Sequence, residues 1–364
     1  MKWAWKLTRL AGIDVYVHAT FFILVAWIGL VYWQRDGTLA AVVGGIGFVL
    51  ALFACVVLHE FGHALTARRF GIRTRHITLL PIGGVAALER MPEDPRQEIL
   101  VALAGPAVNF VIAVALWSWL TVSNAFSPIG DISVTGGPVL ERLMALNVVL
   151  ALFNLLPAFP MDGGRVLRAA LALRMNHARA TRIAASVGQG LAIWLGFMGL
   201  LYNPVLVFIA LFVWIGAAAE AGSEQIKATL SGATVGRAML TDFQTLAPDQ
   251  DLARAIDLTI AGSQREFPVL SDGVMIGVLT QSDLLRGLQA QGADARVEDW
   301  MQRAVHSAEI DESLENVLQR LRGREVPLLA VVQAGRMVGI VNLDNIMELI
   351  QIQASLAQRR EHTG

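Results

Sequence analysis

The stretch His59-Glu60-Phe61-Gly62-His63 closes an apolar run that begins near Ala40. Residues four apart share one face of a helix, so the two imidazoles can grip a single metal ion. Glu60 then lies beside them, placed to take a proton from water on that metal. Two histidines and a carboxylate are costly at the end of a membrane-length helix, which makes a functional role the default reading. The pattern is short and also arises by chance, with both histidines as ordinary core or surface residues. The apolar setting and a third ligand separate the two readings.

Catalytic zinc takes three protein ligands and leaves one position for water. The chain has one cysteine, Cys55, inside the same apolar run, so neither a thiolate cluster nor a disulfide framework is available. The third ligand must be a distant His, Asp or Glu. The best candidate is Asp162, within the segment from Asn154 through Pro157, Pro160 and Gly163-Gly164 to Arg165. Here an apolar span breaks at two prolines, turns through two glycines and presents one carboxylate toward the bundle. A solvated Asp-Gly turn is the alternative use of that dipeptide.

The elements that must position these groups can be read from composition. The 364 residues are 55% hydrophobic and 16% charged, against about 45–50% and about 25% for a soluble protein. Residues 1–220 carry 16 Lys/Arg and 11 Asp/Glu, and residues 221–364 carry 13 and 19. The first part reads as a net-positive membrane body, the second as an acidic, water-soluble module. No basic tract points to nucleic acid.

Six apolar segments are proposed as spans: 17–33, 40–64, 98–122, 139–157, 187–202 and 204–219. Several fall short of the ~20 residues that cross a bilayer, so tilt or partial embedding must be allowed. Lys2, Lys6 and Arg9 precede the first. Arg68, Arg69, Arg73, Arg75, Arg90 and Arg96 lie between the second and third, and Arg165, Arg168, Arg174, Arg179 and Arg182 between the fourth and fifth. The alternate loops are poor in Lys and Arg, which puts both termini in the cytoplasm of a multi-pass cell-membrane protein. The segment 73–90 is apolar but broken by Pro81 and Gly83-Gly84. It reads as a short embedded β-hairpin, either structural or offering a strand edge to an unwound substrate.

From residue 230 the chain repeats itself with an offset of 62 residues: Val235 matches Val297, and Gly277-Val278-Leu279 matches Gly339-Ile340-Val341. Each copy reads helix, paired strands, helix, and the two half-buried sheets should bury their open faces on each other. The expected fold is therefore a multi-pass α-helical membrane protein of about six spans with a short embedded β-hairpin, followed by a soluble α/β tandem. The expected division is a membrane domain at 1–220, a linker at 221–232, repeats at 233–290 and 295–352, and a flexible tail at 353–364.

His59-Glu60-Phe61-Gly62-His63 and the segment Asn154 to Arg165, far apart and both in apolar surroundings, resemble the site-2 protease family of intramembrane zinc metalloproteases over about residues 12–220. Gly105-Pro106-Ala107-Val108-Asn109, the Pro81–Gly84 region and His18 also fit. The repeat resembles a pair of cystathionine-β-synthase-type (CBS) domains. The resemblance implies that His59, His63 and Asp162 bind one Zn2+ and that Glu60 is the general base. It gives Asn109, Asn154, Gly83 and Gly84 substrate-positioning roles. The implied substrate is the transmembrane segment of a membrane-anchored protein or a signal-peptide remnant, met within the lipid bilayer. The CBS pair implies adenine nucleotide (ATP, ADP or AMP) control and homodimer formation. Thr280 and Asp283 fit its ribose-binding pattern, whereas the second copy departs from it at Asn342 and Asn345. A purely structural module is the alternative. A rival reading of the whole chain is a CBS-regulated transporter or channel with a midplane metal site. Glu60 discriminates, since hydrolysis needs a carboxylate between the histidines and transport does not.

Overall fold

The computed structural model describes residues 3–81, 83–92, 94–124, 138–262, 264–323 and 327–363. The chain divides into two units, Met1–Gly222 and Ser223–Gly364.

The first unit opens on a sheet. β1 (Ala4–Leu10) and β2 (Ile13–His18) form an antiparallel pair, turning through Ala11 and Gly12, which both have positive φ. Two helices follow, α1 (Ala19–Asp36) and α2 (Leu39–Arg69), and then β3 (Thr74–Leu80) and β4 (Gly83–Leu88). β2 and β3 pair in parallel, giving the order β1-β2-β3-β4. The expected hairpin over 73–90 is thus half of a four-stranded sheet, whose other half, β1 and β2, has no counterpart among the elements expected from the sequence. Ile13, Val15 and Val17 alternate with Asp14, Tyr16 and His18, a period of two. That six-residue signal is short and runs straight into the longer apolar helix, which dominates any window laid over it. Ile13, Val15 and Ile77 pack on Phe61 and Ala64 of α2, and Val17 and Leu79 pack near Phe53. One face of the sheet is thereby fixed to the helix that carries both histidines. β4 is an edge strand.

The remaining helices are α3 (Pro95–Val122), α4 (Val139–Asn154), α5 (Asp162–Ala172), α6 (His177–Leu201) and α7 (Val205–Leu230). Asp94 caps α3 by accepting from the Arg96 N–H, and Pro95 opens its first turn. Among the described residues, α2, α3, α6 and α7 are long and apolar enough to cross a membrane. α1 and α4, also expected as spans, have 18 and 16 residues. The loop expected between the third and fourth spans lies mostly outside the described residues, and so does Ile82 at the turn of the expected hairpin.

Two local expectations are corrected. Gly163 and Gly164 form the first turn of α5 instead of a free turn. They belong there because a Cβ on Gly163 would lie 2.3 Å from the carbonyl oxygens of Leu155 and Leu156, so only glycine lets the helix start against the end of α4. Residues 221–230, expected as linker, continue α7 as helix, with the good helix formers Ala, Glu, Gln, Lys and Leu at six of the ten positions.

In the second unit the first repeat comprises α8 (Leu252–Ala261), β5 (Glu266–Ser271), β6 (Val274–Thr280) and α9 (Gln281–Gln291). The second comprises α10 (Val297–Trp300), β7 (Ser307–Glu309), α11 (Leu314–Gly323), β8 (Leu329–Gln333), β9 (Arg336–Val341) and α12 (Leu343–Thr363). Asp272-Gly273 and Ala334-Gly335 have positive φ at both positions, the turn that matches hairpin twist. Met275 and Val278 of one sheet share a buried cluster with Leu328, Ala330 and Ile340 of the other repeat, as expected of facing sheets. Where a flexible tail was expected from 353, the backbone stays helical to Thr363.

Candidate metal centre

α2 places His59 and His63 one turn apart on its buried face, each at 6% exposure or less. α3 crosses α2 closely at this level. A Cβ on Gly62 would lie 2.6 Å from the Ala104 carbonyl oxygen, and one on Gly105 would lie 2.2 Å from His63 Nε2. The missing Cβ atoms bring the Val101 carbonyl oxygen within 2.7 Å of His63 Nδ1. Accepting a hydrogen bond there fixes the tautomer and leaves the Nε2 lone pair pointing away.

Asp162 arrives from the other side. α4 ends at Asn154, the chain turns through Pro157 and Pro160, and Asp162 is the first residue of α5. Helix N-termini favour a carboxylate. Its Oδ2 lies 3.1 Å from His63 Nε2 and 3.2 Å from His59 Nε2, and those two nitrogens are 3.1 Å apart. The three atoms form a nearly equilateral triangle of electron-pair donors, all buried. Zinc–nitrogen and zinc–oxygen bonds of ~2.0–2.1 Å at tetrahedral angles separate neighbouring ligand atoms by roughly 3.3 Å. The donor set and its spacing therefore fit zinc.

A cavity of 410 Å³ opens on this triangle. Glu60, Asn109, Asn154, Gly83, Gly84 and Arg165 are among its lining residues, so the three candidate ligands, Glu60 and the four residues expected to position a substrate meet here. Glu60 accepts a hydrogen bond of 3.2 Å from the Ala86 N–H of β4. A Cβ on Gly84 would lie 2.8 Å from Glu60 Cγ. Asn109 is buried, and its Oδ1 has no hydrogen-bond partner among the described residues. His18 and His76 lie elsewhere, in a separate cavity of 310 Å³.

The sequence reading gave no role to Arg165, Val101, Gly105 or Ala86. Arg165 sat within a quoted motif, and its Nη1 stands 4.0 Å from the other Asp162 oxygen, Oδ1. Val101 and Ala86 act through backbone atoms, for which the side-chain alphabet has no signal.

In the second unit Thr280 and Asp283 are tied to each other. The Thr280 hydroxyl donates to Asp283 Oδ2 at 2.6 Å; it also accepts from the Asp283 N–H at 3.2 Å while the Thr280 N–H donates to Oδ2 at 3.4 Å, a capping box that starts α9. Gln302 Nε2 donates to the same carboxylate at 2.9 Å, and Arg286 donates to Oδ1. Burial pushes the Asp283 carboxyl up, but these donors outweigh it and hold it below the usual carboxylate range. Asn342 and Asn345 cap α12 reciprocally, at 2.9 and 3.3 Å.

The description "Peptidase family M50" matches residues 47–136 and 137–195, and "CBS domain" matches residues 235–290 and 297–352. A zinc metalloprotease of Methanocaldococcus jannaschii is 32% identical over 354 residues, covering 97% of each chain. Stage IV sporulation protein FB of Bacillus subtilis is 26% identical over 205 residues, 56% of this chain and 64% of that one. The solved site-2 protease from Methanocaldococcus jannaschii is 39% identical, covers 60% of this chain and 95% of its own, and superposes with a TM-score of 0.45. Likeness over nearly the full length of a zinc metalloprotease decides between the hydrolase and transporter readings. This chain is a metalloprotease of peptidase family M50, the site-2 protease family, carrying a tandem of CBS domains.

Proposed function

We propose that the protein hydrolyses a peptide bond in or beside the transmembrane segment of a membrane-anchored protein or signal-peptide remnant. The observation that carries this reading is the buried triangle of His59, His63 and Asp162 with Glu60 beside it at the edge of a strand. His59, His63 and Asp162 would hold the zinc, which would supply Lewis-acid polarisation of the scissile carbonyl and lower the pKa of the attacking water. Glu60 takes the proton of the attacking water and returns it to the leaving nitrogen. Asn109 and Asn154 face the same cavity and orient the scissile peptide.

A helical substrate hides its peptide groups in its own hydrogen bonds and must unwind before it can be cut. The outer edge of β4, where Gly83 and Gly84 carry no side chains of their own, offers backbone partners to the unwound segment. Both termini face the cytoplasm in this reading, which the Lys/Arg-rich loops support. The CBS tandem serves as the dimer contact and the regulatory module. An adenine nucleotide at Thr280 and Asp283 would share the Asp283 carboxylate with the cap of α9, so nucleotide binding and the start of α9 are coupled.

Metal analysis together with cleavage of a membrane-anchored peptide, by the wild type and by Glu60→Gln, tests the reading. One bound zinc in both proteins, with cleavage by the wild type alone, is the expected result. Cleavage by Glu60→Gln at the wild-type rate defeats it.

A further inference from the structure

Behind the metal centre lies a second buried polar cluster that the reaction does not use. Arg168 of α5 is 2% exposed and Glu98 of α3 is 0% exposed. The Arg168 Nε donates to Glu98 Oε1 at 2.8 Å, Nη2 donates to the same oxygen, and Nη1 donates to Glu220 of α7. The guanidinium also lies 5.3 Å from the ring centroid of Phe159, in the turn that leads to Asp162. Glu98 Oε2 is buried with no partner among the described residues.

The placement of these residues is informative. Arg168 lies six residues after Asp162 on the same short helix. Glu98 lies three residues before Val101, whose carbonyl fixes the ring of His63, and seven before Gly105, which packs on both imidazoles. The ion pair thus joins the helix that delivers the carboxylate to the helix that orients the histidines. Stability alone is a poor reason for it, because a buried ion pair can often be replaced by apolar residues of similar volume at no cost. Its geometry is what apolar packing would not reproduce: directional bonds fix how far α5 stands from α3.

We propose that Arg168 and Glu98 are positioning residues that set the Asp162-to-His63 separation and thereby the affinity of the metal centre. This inference rests on the zinc-site reading above. Outer-shell partners of metal ligands typically contribute about 10–100-fold in affinity.

The test uses the full-length protein in detergent. The double substitution Arg168→Met with Glu98→Met removes both fully buried charges of the clamp and leaves the part-exposed Glu220 carboxylate to water. It is expected to keep the wild-type helix content and monodispersity, to bind zinc about 10-fold or more weakly in a chelator competition, and to shift the visible ligand-field bands of the cobalt(II)-loaded protein. The pair Arg168→Gln with Glu98→Gln, neutral but still hydrogen-bonded, is expected to fall between. Wild-type zinc affinity and cobalt spectrum in either folded double variant overturns the proposal. Failure of both to fold makes the pair a folding element and overturns it equally. Asp162→Ala is measured alongside. An unchanged cobalt spectrum there would mean that the zinc-site reading is wrong, whereas a changed one beside unchanged clamp variants sinks the positioning role alone.

Discussion

The Ala86 N–H donates to the Glu60 carboxylate across 3.2 Å, joining the edge of β4 to the residue of α2 proposed as the acid–base group. One strand edge is therefore both the surface on which a substrate would extend and the support of the group that would move its protons. Because Ala86 lies on the edge strand, proline can replace it without breaking an interior ladder. Ala86→Pro is expected to keep metal content at the wild-type level and to slow cleavage of a membrane-anchored substrate at least several-fold. Unchanged turnover in a reconstituted cleavage assay would remove β4 from the mechanism.

Glu60→Gln keeps the volume of the side chain and can still accept from Ala86, but it cannot shuttle a proton. General acid–base groups contribute about 10²–10⁴-fold. Turnover should fall by that order while zinc stoichiometry, measured by elemental analysis, stays at one.

Gly105→Ala would place a methyl group 2.2 Å from His63 Nε2 and 2.7 Å from His59 Nε2. No rotamer relieves a clash at Cβ, so α3 must retreat or the imidazoles must turn. Zinc affinity should drop by at least an order of magnitude, on the scale of lost outer-shell support, and activity should return in part at high zinc. Chelator titration followed by zinc add-back checks it.

Asp283 and Glu266 give the second unit opposite pH responses. The folded-state pKa of Asp283 is lowered, because its donors outweigh burial. Its contribution to stability is present above the ordinary Asp value of ~3.9 and is lost as pH falls toward the folded value. Glu266 is raised, chiefly by burial, with the Asn342 hydrogen bond opposing. It favours the folded state when protonated, and that contribution is lost as pH rises through the folded value. Glu266→Gln should therefore protect the β5 amides from hydrogen exchange more at pH 8 than at pH 4. Asp283→Asn should weaken protection at the start of α9 at pH 7, and by less as pH falls below the ordinary Asp value of ~3.9.

Nucleotide binding at this cap should disturb it. Titration of the full-length protein with ATP, ADP or AMP is expected to release heat and to change the exchange of the α9 amides. Absence of heat at millimolar nucleotide would leave the CBS tandem as an assembly module.

What could be read from the chain alone was whatever is written in side-chain type and period. The i, i+4 spacing of His59 and His63 specified one helical face. The proline-flanked carboxylate of Asp162, the 62-residue repeat and the arginine-rich loops were equally plain. These are local signals, because hydropathy, capping and turn chemistry act over a few residues. The tertiary structure alone decided how those signals meet. It drew β1 and β2 beside β3, since strand pairing is non-local and six alternating residues give a weak signal next to a longer apolar helix. It made the Asp162 glycines a helix start pressed against α4, and it recruited the Val101 carbonyl and the Ala86 N–H. It also closed Arg168 onto Glu98, 70 residues apart in the chain. Backbone groups are the same at every position, so only their placement by the fold could make these particular ones part of the site.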